Sequence, residues 1–209
     1  MKDHLVDSLI LTAGPSISDK EVAYVMDAVK YGWNLHHSDY IKRFESSFKL
    51  LTGAQHAMAT SSCTGAMHLA LLALGIQPGD EVIVPEITWI ATASAVTYIG
   101  AIPVFCDVDP ETWTLCPNAL ETLITKQTKA IMPVHLYGHP CDMEPIQQLA
   151  QKHRLKIVED AAQSIGSEYK GRKTGALGDA AGFSFQGAKM LVTGEGGMLL
   201  CEDEDVFKR

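Results

Sequence analysis

Short apolar runs alternate along the chain with longer segments in which apolar residues recur at helical spacing. The short runs are rich in β-branched residues and predict strands over 81–84, 102–106, 130–134 and 155–158. The longer segments predict helices near 18–31, 39–52, 64–74, 88–99, 117–126 and 142–153. Strands that alternate with helices through short connections indicate an α/β fold, with a mostly parallel sheet covered by helices on both faces.

Most of the predicted helices begin with a recognisable local signal. Ser18, Ser38, Thr88 and Asp142 stand at N-cap positions, and Pro117 occupies a first turn. Nine of the 17 glycines fall between residues 166 and 197. This later stretch predicts either hairpins and loops or a backbone that approaches a ligand closely.

Composition and charge narrow the class of protein. The 209 residues are 46% hydrophobic and 20% charged, which is typical of one globular domain or a large piece of a bigger one. The net charge of −8 gives no electrostatic reason to expect nucleic acid or an acidic membrane as a partner. A small-molecule ligand is therefore the expected partner.

The cysteines and the N-terminus indicate a cytoplasmic protein. The five cysteines are an odd set without a Cys-x-x-Cys pair, which predicts neither a disulfide framework nor a zinc ribbon. The N-terminus lacks an apolar run of signal-peptide length, and no apolar stretch of 18 residues follows. We expect a reducing compartment and no membrane segment.

Three segments carry candidate chemistry. Residues 60–66, Thr-Ser-Ser-Cys-Thr-Gly-Ala, join a strand-like run to an apolar helix, and they could bind an anion at the helix N-terminus or simply cap it. Asp160 ends an apolar strand, where it could act on a ligand or remain a solvated loop carboxylate. Lys189 is the only cation between residues 180 and 194, and its amine is either functional or a surface group.

Together these segments supply an anion site, a carboxylate and an amine. A pyridoxal phosphate site needs these three parts, with the phosphate anchored, a carboxylate at the pyridine nitrogen and a lysine in a Schiff base. His135 and His139 could be considered as metal ligands, but their spacing spans a Tyr-Gly turn rather than one helix face. We therefore expect no metal.

Five ordered motifs resemble the DegT/DnrJ/EryC1/StrS family of sugar aminotransferases. They are Ser-Ser-Cys-Thr-Gly-Ala-Met-His-Leu-Ala-Leu, Pro-Gly-Asp-Glu-Val-Ile-Val-Pro, Pro-Val-His-Leu-Tyr-Gly-His-Pro, Glu-Asp-Ala-Ala-Gln and Phe-Ser-Phe-x-x-x-Lys followed by Thr-Gly-Glu-Gly-Gly. The resemblance runs from about residue 32 to the last residue. It implies the aspartate-aminotransferase-like fold, which is fold type I of the pyridoxal phosphate enzymes.

The resemblance also implies roles for individual residues. Lys189 matches the Schiff-base lysine, Asp160 the partner of the pyridine nitrogen, and Gln163 the amide near the ring hydroxyl. Ser184 matches a phosphate-binding position.

Three further residues match positions of the family. Cys63 and Thr64 match the phosphate turn, although many relatives have glycine where Cys63 stands. Trp89 matches the aromatic residue stacked on the ring, for which a core aromatic on a helix is the alternative.

The implied reaction moves an amino group from glutamate or glutamine to a keto carbon of a nucleotide-linked deoxyhexose. Similarity to perosamine-synthase-like members implies a 4-keto sugar nucleotide, used for cell-surface polysaccharide such as lipopolysaccharide or for secondary metabolites. A homodimer with composite sites is also implied, with the aromatic segment 32–40 near the partner subunit. A dehydratase of the same family would carry histidine in place of Lys189, and a catalytically silent scaffold or dimerisation module is the alternative from another class.

The resemblance predicts the domain organisation as well. We expect an N-terminal helical segment over 1–31 and an incomplete pyridoxal-phosphate-binding large domain over 32–209. The rest of that domain and the small C-terminal domain of the family are absent from this chain, which predicts a fragment with exposed apolar surface.

Overall fold

The structure is a computed structural model that describes residues 16–209. Residues 1–15 of the predicted N-terminal helical segment lie outside the described residues. The helices are α1 Asp19–Tyr31, α2 Asp39–Thr52, α3 Cys63–Ala73, α4 Ala91–Tyr98, α5 Pro117–Leu123, α6 Met143–His153 and α7 Glu204–Phe207. The strands are β1 His56–Thr60, β2 Glu81–Pro85, β3 Ile102–Cys106, β4 Thr128–Ile131, β5 Lys156–Asp160, β6 Glu168–Tyr169, β7 Arg172–Lys173, β8 Ala180–Ser184 and β9 Gly197–Cys201.

Seven strands form one sheet in the order β1-β9-β8-β5-β4-β2-β3, and β6 pairs with β7 in a separate hairpin. From β8 to β3 every neighbouring pair is parallel, whereas β9 is antiparallel to both of its neighbours. The predicted α/β class with a mostly parallel, mixed sheet is confirmed. Since six strands run in the same direction, their carboxyl ends meet at one edge of the sheet.

Helices cover both faces of the sheet, so its central strands are buried on both sides. Val82 and Val84 of β2 pack against α3 and α4, and Ile83 between them packs against α5 and α6. Helix α2 covers the β1 end of the second face, where the Phe48 ring meets Phe183 edge to face at 4.9 Å between centroids. The longest helix, α2, has 14 residues, and no helix within residues 16–209 meets the length and apolarity that a bilayer span requires.

Several predicted elements differ from the structure at their ends. Helix α5 ends at Leu123 instead of 126, and strand β5 continues to Asp160 instead of ending at 158. Helix α4 begins at Ala91 instead of 88, because the Thr88 hydroxyl pairs with that of Thr92 at 2.7 Å and caps no helical N–H. Strand β4 ends at Ile131 instead of 134, because Pro133 has no N–H to donate to a neighbouring strand. The Pro133 carbonyl still accepts from the Asp160 N–H at 2.9 Å.

Two glycines allow the N-terminus of α3 to lie directly on the sheet. A Cβ atom at Gly197 would lie 2.4 Å from the Ser62 carbonyl carbon and 2.6 Å from the Cys63 nitrogen. At Gly182 of β8 it would lie 2.9 Å from Met67 Cγ and 3.1 Å from Cys63 Sγ. The absence of side chains at these two positions therefore fixes the distance between the first turn of α3 and strands β8 and β9.

Replacing Gly197 by alanine should destabilise the protein. The added methyl group meets main-chain atoms of Ser62 and Cys63, so α3 must shift, and we expect the free energy of unfolding to fall by about 2 kcal/mol. Gly187→Ala is the matched control, because a Cβ there meets nothing closer than the Gly194 carbonyl at 3.8 Å. Urea unfolding of both variants measures the difference, and equal midpoints would contradict the packing argument.

Candidate active site

The three segments with candidate chemistry lie at the same edge of the sheet. Strand β1 ends at Thr60 and leads into α3, β5 ends at Asp160, and β8 ends at Ser184. Strands β1, β9, β8 and β5 are consecutive neighbours, so these three ends are close to one another. Ligands of open α/β sheets bind beyond such carboxyl ends, which makes this edge the candidate site.

The N-terminus of α3 provides an anion-binding position. Ser62 is extended, and its hydroxyl caps the helix by accepting from the Gly65 N–H at 3.0 Å. Cys63 and Thr64 form the first turn, where main-chain N–H groups have no partner within the helix. These groups and the positive end of the helix dipole favour a bound anion such as phosphate.

The Cys63 side chain contributes shape to this turn and no charge. Burial raises the pKa of the Cys63 thiol well above its usual value, and the Asp160 charge adds to that rise while the Lys189 charge opposes it. The thiol is therefore neutral at physiological pH. It fills the space between the helix and Gly182.

Asp160 is a buried carboxylate rather than a solvated loop residue, since only 5% of it is exposed. Its Oδ2 accepts a hydrogen bond from the Thr92 hydroxyl at 2.6 Å, and its Oδ1 accepts from the Ala162 N–H at 3.2 Å. Burial raises the pKa of Asp160, and the bonds from Thr92 and Ala162 and the Lys189 charge act in the opposite direction. A cationic N–H group would be a favourable partner for this carboxylate.

Lys189 follows β8 in a tight turn. Its main-chain N–H donates to the Gln186 carbonyl at 2.8 Å, and the Ser184 hydroxyl accepts from the Gln186 N–H at 3.4 Å. Ser184 is buried and Lys189 is half-buried. The Lys189 charge lowers the pKa of both Asp160 and Cys63, so its ammonium lies within electrostatic range of both side chains.

Trp89 and Gln163 complete the set of predicted site residues. Trp89 precedes α4 and is 74% exposed, so the alternative of a core aromatic is wrong. Gln163 lies three residues beyond Asp160, and its Oε1 accepts from the Tyr137 N–H at 3.0 Å. The structure therefore places Gln163 in the turn that leaves β5, while the stacking role of Trp89 stays a prediction.

Sequence reasoning missed Thr92, the residue in closest contact with the Asp160 carboxylate. Thr92 is fully buried and stands 68 positions before Asp160 in the chain. A threonine inside a helix gives no functional signal by itself. The only available signal was its position in the first turn of the helix that follows β2, near the carboxyl edge.

His135 has a structural environment that occupies both of its ring nitrogens. Nε2 lies 2.9 Å from Glu159 Oε2 in a fully buried pair, and Nδ1 accepts from the Cys141 N–H at 3.1 Å. His139 is exposed. Over residues 16–209, no three or more His, Cys, Asp and Glu side chains converge in a way that could hold a metal ion.

A family comparison agrees with this geometry. The sequence profile described as the DegT/DnrJ/EryC1/StrS aminotransferase family matches residues 15–209. The chain belongs to this family. The sequence resemblance is thereby confirmed.

Individual relatives in the family cover nearly the whole chain. The GDP-perosamine synthase of Caulobacter vibrioides is 50% identical over 197 residues, which are 94% of this chain and 53% of that protein. The structure of an aminotransferase from Psychrobacter cryohalolentis has a TM-score of 0.90 at 40% identity, covering 95% of this chain and 51% of that one. Spr1654 from Streptococcus pneumoniae, solved in a PLP form, has a TM-score of 0.87 at 33% identity, covering 94% and 54%. The chain thus spans about half the length of the relatives it matches.

Asp160→Asn should stabilise the cofactor-free protein at neutral pH. Because the pKa of Asp160 is higher in the folded than in the unfolded state, the folded state binds more protons between the two values, and stability falls as pH rises through that window. Asparagine does not ionise, so the variant does not lose stability as pH rises through this window. We expect the variant to exceed the wild type in free energy of unfolding at pH 7, with the difference shrinking toward pH 4, near the ordinary aspartate pKa of about 3.9.

Urea unfolding at both pH values measures this difference. Asp107→Asn, at an exposed carboxylate after β3, is the control and should show no comparable dependence on pH. A difference between Asp160→Asn and wild type that is the same at pH 4 and pH 7 would contradict the assigned effect of burial.

Proposed function

We propose that the protein is a pyridoxal-phosphate-dependent aminotransferase that acts on a nucleotide-linked keto sugar. The observation that carries this proposal is the convergence of three groups at one sheet edge: the N-terminus of α3, the buried carboxylate of Asp160 and the ammonium of Lys189. Family membership supports the reaction class, and a relative named GDP-perosamine synthase supports a sugar nucleotide as substrate.

The residues present fit pyridoxal phosphate. Its phosphate is an anion that the N–H groups of Cys63 and Thr64 and the Ser184 hydroxyl would bind. A protonated ring nitrogen would pair with Asp160, which is buried and hydrogen-bonds to Thr92 and Ala162. When bound, the cofactor supplies an electron sink for the carbon from which a proton is removed.

Each side chain then has a defined task. Lys189 would bind the cofactor covalently through Nζ and afterwards transfer a proton at the same atom as general acid and base. Asp160 would hold the proton on the ring nitrogen, because its carboxylate gains a cationic partner. Trp89 would stack on the ring with its exposed face, and Gln163 would donate from its amide to a ring substituent. The presence of Lys189 favours transfer over the dehydration that relatives with histidine at this position perform.

The substrates are proposed from the relatives. The amino donor would be glutamate or glutamine, and the acceptor a GDP-linked 4-keto-6-deoxyhexose, as the similarity to a GDP-perosamine synthase suggests. The product would enter the synthesis of cell-surface polysaccharide such as lipopolysaccharide in the cytoplasm. Residues that select the sugar would come partly from the half of the relatives that this chain does not span.

Lys189→Ala should abolish covalent attachment of the cofactor. The wild-type protein mixed with pyridoxal phosphate should turn yellow and, after borohydride reduction, should carry a pyridoxyl group on the peptide that contains Lys189. Lys170→Ala and Lys173→Ala are controls, because those lysines form surface ion pairs with Glu144 and Glu168. Peptide mass mapping of the full-length protein decides the point.

Aminotransferase activity can be measured in the wild type and the same three variants. With glutamate or glutamine and the GDP-linked 4-keto sugar, wild type and both control variants should form the amino sugar, and Lys189→Ala should lose at least about 10³-fold in kcat. A pyridoxyl group on Lys170 or Lys173 would overturn the assignment of Lys189. A wild-type protein that never turns yellow would favour the silent scaffold.

We propose further that the protein is a homodimer whose interface includes α1 and segment 32–40. Helix α1 contributes no buried residue, and Val25 and Val29 on it are 62% and 60% exposed. Leu35 in the following segment is 90% exposed. Apolar groups at such exposure favour a protein contact over water.

Charged substitutions should disrupt this assembly. Val29→Asp combined with Leu35→Asp places two carboxylates in the proposed contact, and we expect light scattering to show a shift from dimer to monomer. Leu50→Asp is the matched control, because Leu50 is 88% exposed but lies near the end of α2. A monomeric wild type, or a double variant that stays dimeric, would contradict the proposed interface.

A further inference from the structure

The turn that follows β4 has a backbone conformation that non-glycine residues rarely adopt. Tyr137 has φ +50° and ψ +26° within the short 3-10 segment Leu136–Gly138, and Gly138 has φ +87°. A side chain in this left-handed region carries an energetic cost, which persists only where the surroundings hold the backbone in place. The Tyr137 side chain is 82% exposed, so its own packing does not explain the conformation.

Contacts with the turn after Asp160 explain how the conformation is held. The Tyr137 N–H donates to Gln163 Oε1 at 3.0 Å, and the Ser167 hydroxyl donates to the Gly138 carbonyl at 2.8 Å. A Cβ on Gly138 would lie 3.4 Å from the main-chain carbonyl oxygen of Gln163, so the two segments pack tightly. The left-handed turn is therefore fixed against the segment that carries Gln163.

The Tyr137 contact determines the orientation of the Gln163 amide. A main-chain N–H can only donate, so the side-chain amide atom of Gln163 that faces Tyr137 must be the oxygen, Oε1. The amide nitrogen then points elsewhere and makes no hydrogen bond to the protein within residues 16–209. Gln163 thus has its amide oxygen engaged by Tyr137 and its two N–H donors left for another partner.

We propose that Tyr137 is a positioning residue that acts through its main chain, by fixing the orientation of the Gln163 amide so that its nitrogen donates to an acceptor oxygen of the ligand bound at Asp160. The proposal rests on the proposed function, in which that ligand is pyridoxal phosphate. The exposed phenol of Tyr137 is dispensable, and the left-handed backbone with its N–H is required.

Three substitutions at one exposed position separate the backbone from the side chain. Tyr137→Gly and Tyr137→Asn tolerate a positive φ and keep the N–H, so we expect the dissociation constant of pyridoxal phosphate to stay within about twofold of wild type. Tyr137→Val also removes the phenol, but a β-branched residue resists positive φ and should displace the turn. We expect about tenfold weaker binding for Tyr137→Val, which corresponds to the loss of one aligned hydrogen bond.

Gln163→Glu tests the donor itself. The carboxylate still accepts from the Tyr137 N–H but offers no N–H and adds a negative charge. An acceptor oxygen on the cofactor should then hold its proton to higher pH, so the pH midpoint of the visible absorption change should rise. Combined with Tyr137→Val, Gln163→Glu should give less than the sum of the two effects on binding, because both variants remove the same contact.

Hydrogen exchange on the cofactor-free protein provides an independent measurement. We expect the residue 137 N–H to be protected in wild type, Tyr137→Asn and Gln163→Glu, and to exchange at least about tenfold faster in Gln163→Ala. Protection that does not depend on residue 163, or equal losses of binding in Tyr137→Asn and Tyr137→Val, would overturn the proposal. If exchange follows the expected pattern but the wild type binds no pyridoxal phosphate, the proposed function fails while the fixed orientation of Gln163 stands.

Discussion

A carboxylate buried at the end of a central strand is the constraint on which the rest of this structure depends. Ionised Asp160 loses most of its hydration, so the fold must supply hydrogen bonds and positive charge nearby. Thr92, in the first turn of α4, supplies one of these bonds. Burial that raises the pKa is unfavourable for an isolated carboxylate and becomes favourable when a cationic ligand group pairs with it.

The distance between α3 and the sheet is the second condition for the site. Gly182 and Gly197 let the first turn of α3 lie on β8 and β9. The free N–H groups of that turn therefore lie near Ser184 and the turn that carries Lys189. A larger residue at either glycine would lift the helix and separate the anion position from Asp160. Some glycines in the later part of the chain form turns, as one interpretation of the sequence predicted. Gly182 and Gly197 instead allow α3 to approach the sheet closely.

The sequence predicted the elements that have a periodic pattern and missed those that do not. The amphipathic helices and the β-branched strands were recognisable, and the candidate residues Asp160 and Lys189 followed from strand ends and an isolated charge. Strand β8, Ala-Ala-Gly-Phe-Ser, has small residues with weak strand propensity, and it is a strand because its neighbours and α3 close around it. The Thr92–Asp160 bond and the left-handed Tyr137 arise from tertiary contacts, which no local pattern reports.

Two adjacent carboxylates on β5, Glu159 and Asp160, differ in how many of their acceptor positions the protein fills. Successive side chains of a strand point to opposite faces, so Glu159 and Asp160 face different helices. Glu159 is completely buried and receives three main-chain N–H groups from residues 175–178, each at 2.7 Å, together with His135 at 2.9 Å. Its acceptor capacity is used to hold the loop before β8 and to orient His135, so nothing remains for a ligand.

Asp160 is the opposite case, because within residues 16–209 it receives only two protein donors, Thr92 and Ala162. A carboxylate can accept about four hydrogen bonds, so Asp160 keeps acceptor positions that the described residues do not fill. Sequence alone places both acids in one Glu-Asp pair and cannot rank them. The count of satisfied acceptor positions identifies Glu159 as a scaffold residue and supports the proposal that Asp160 pairs with a ligand.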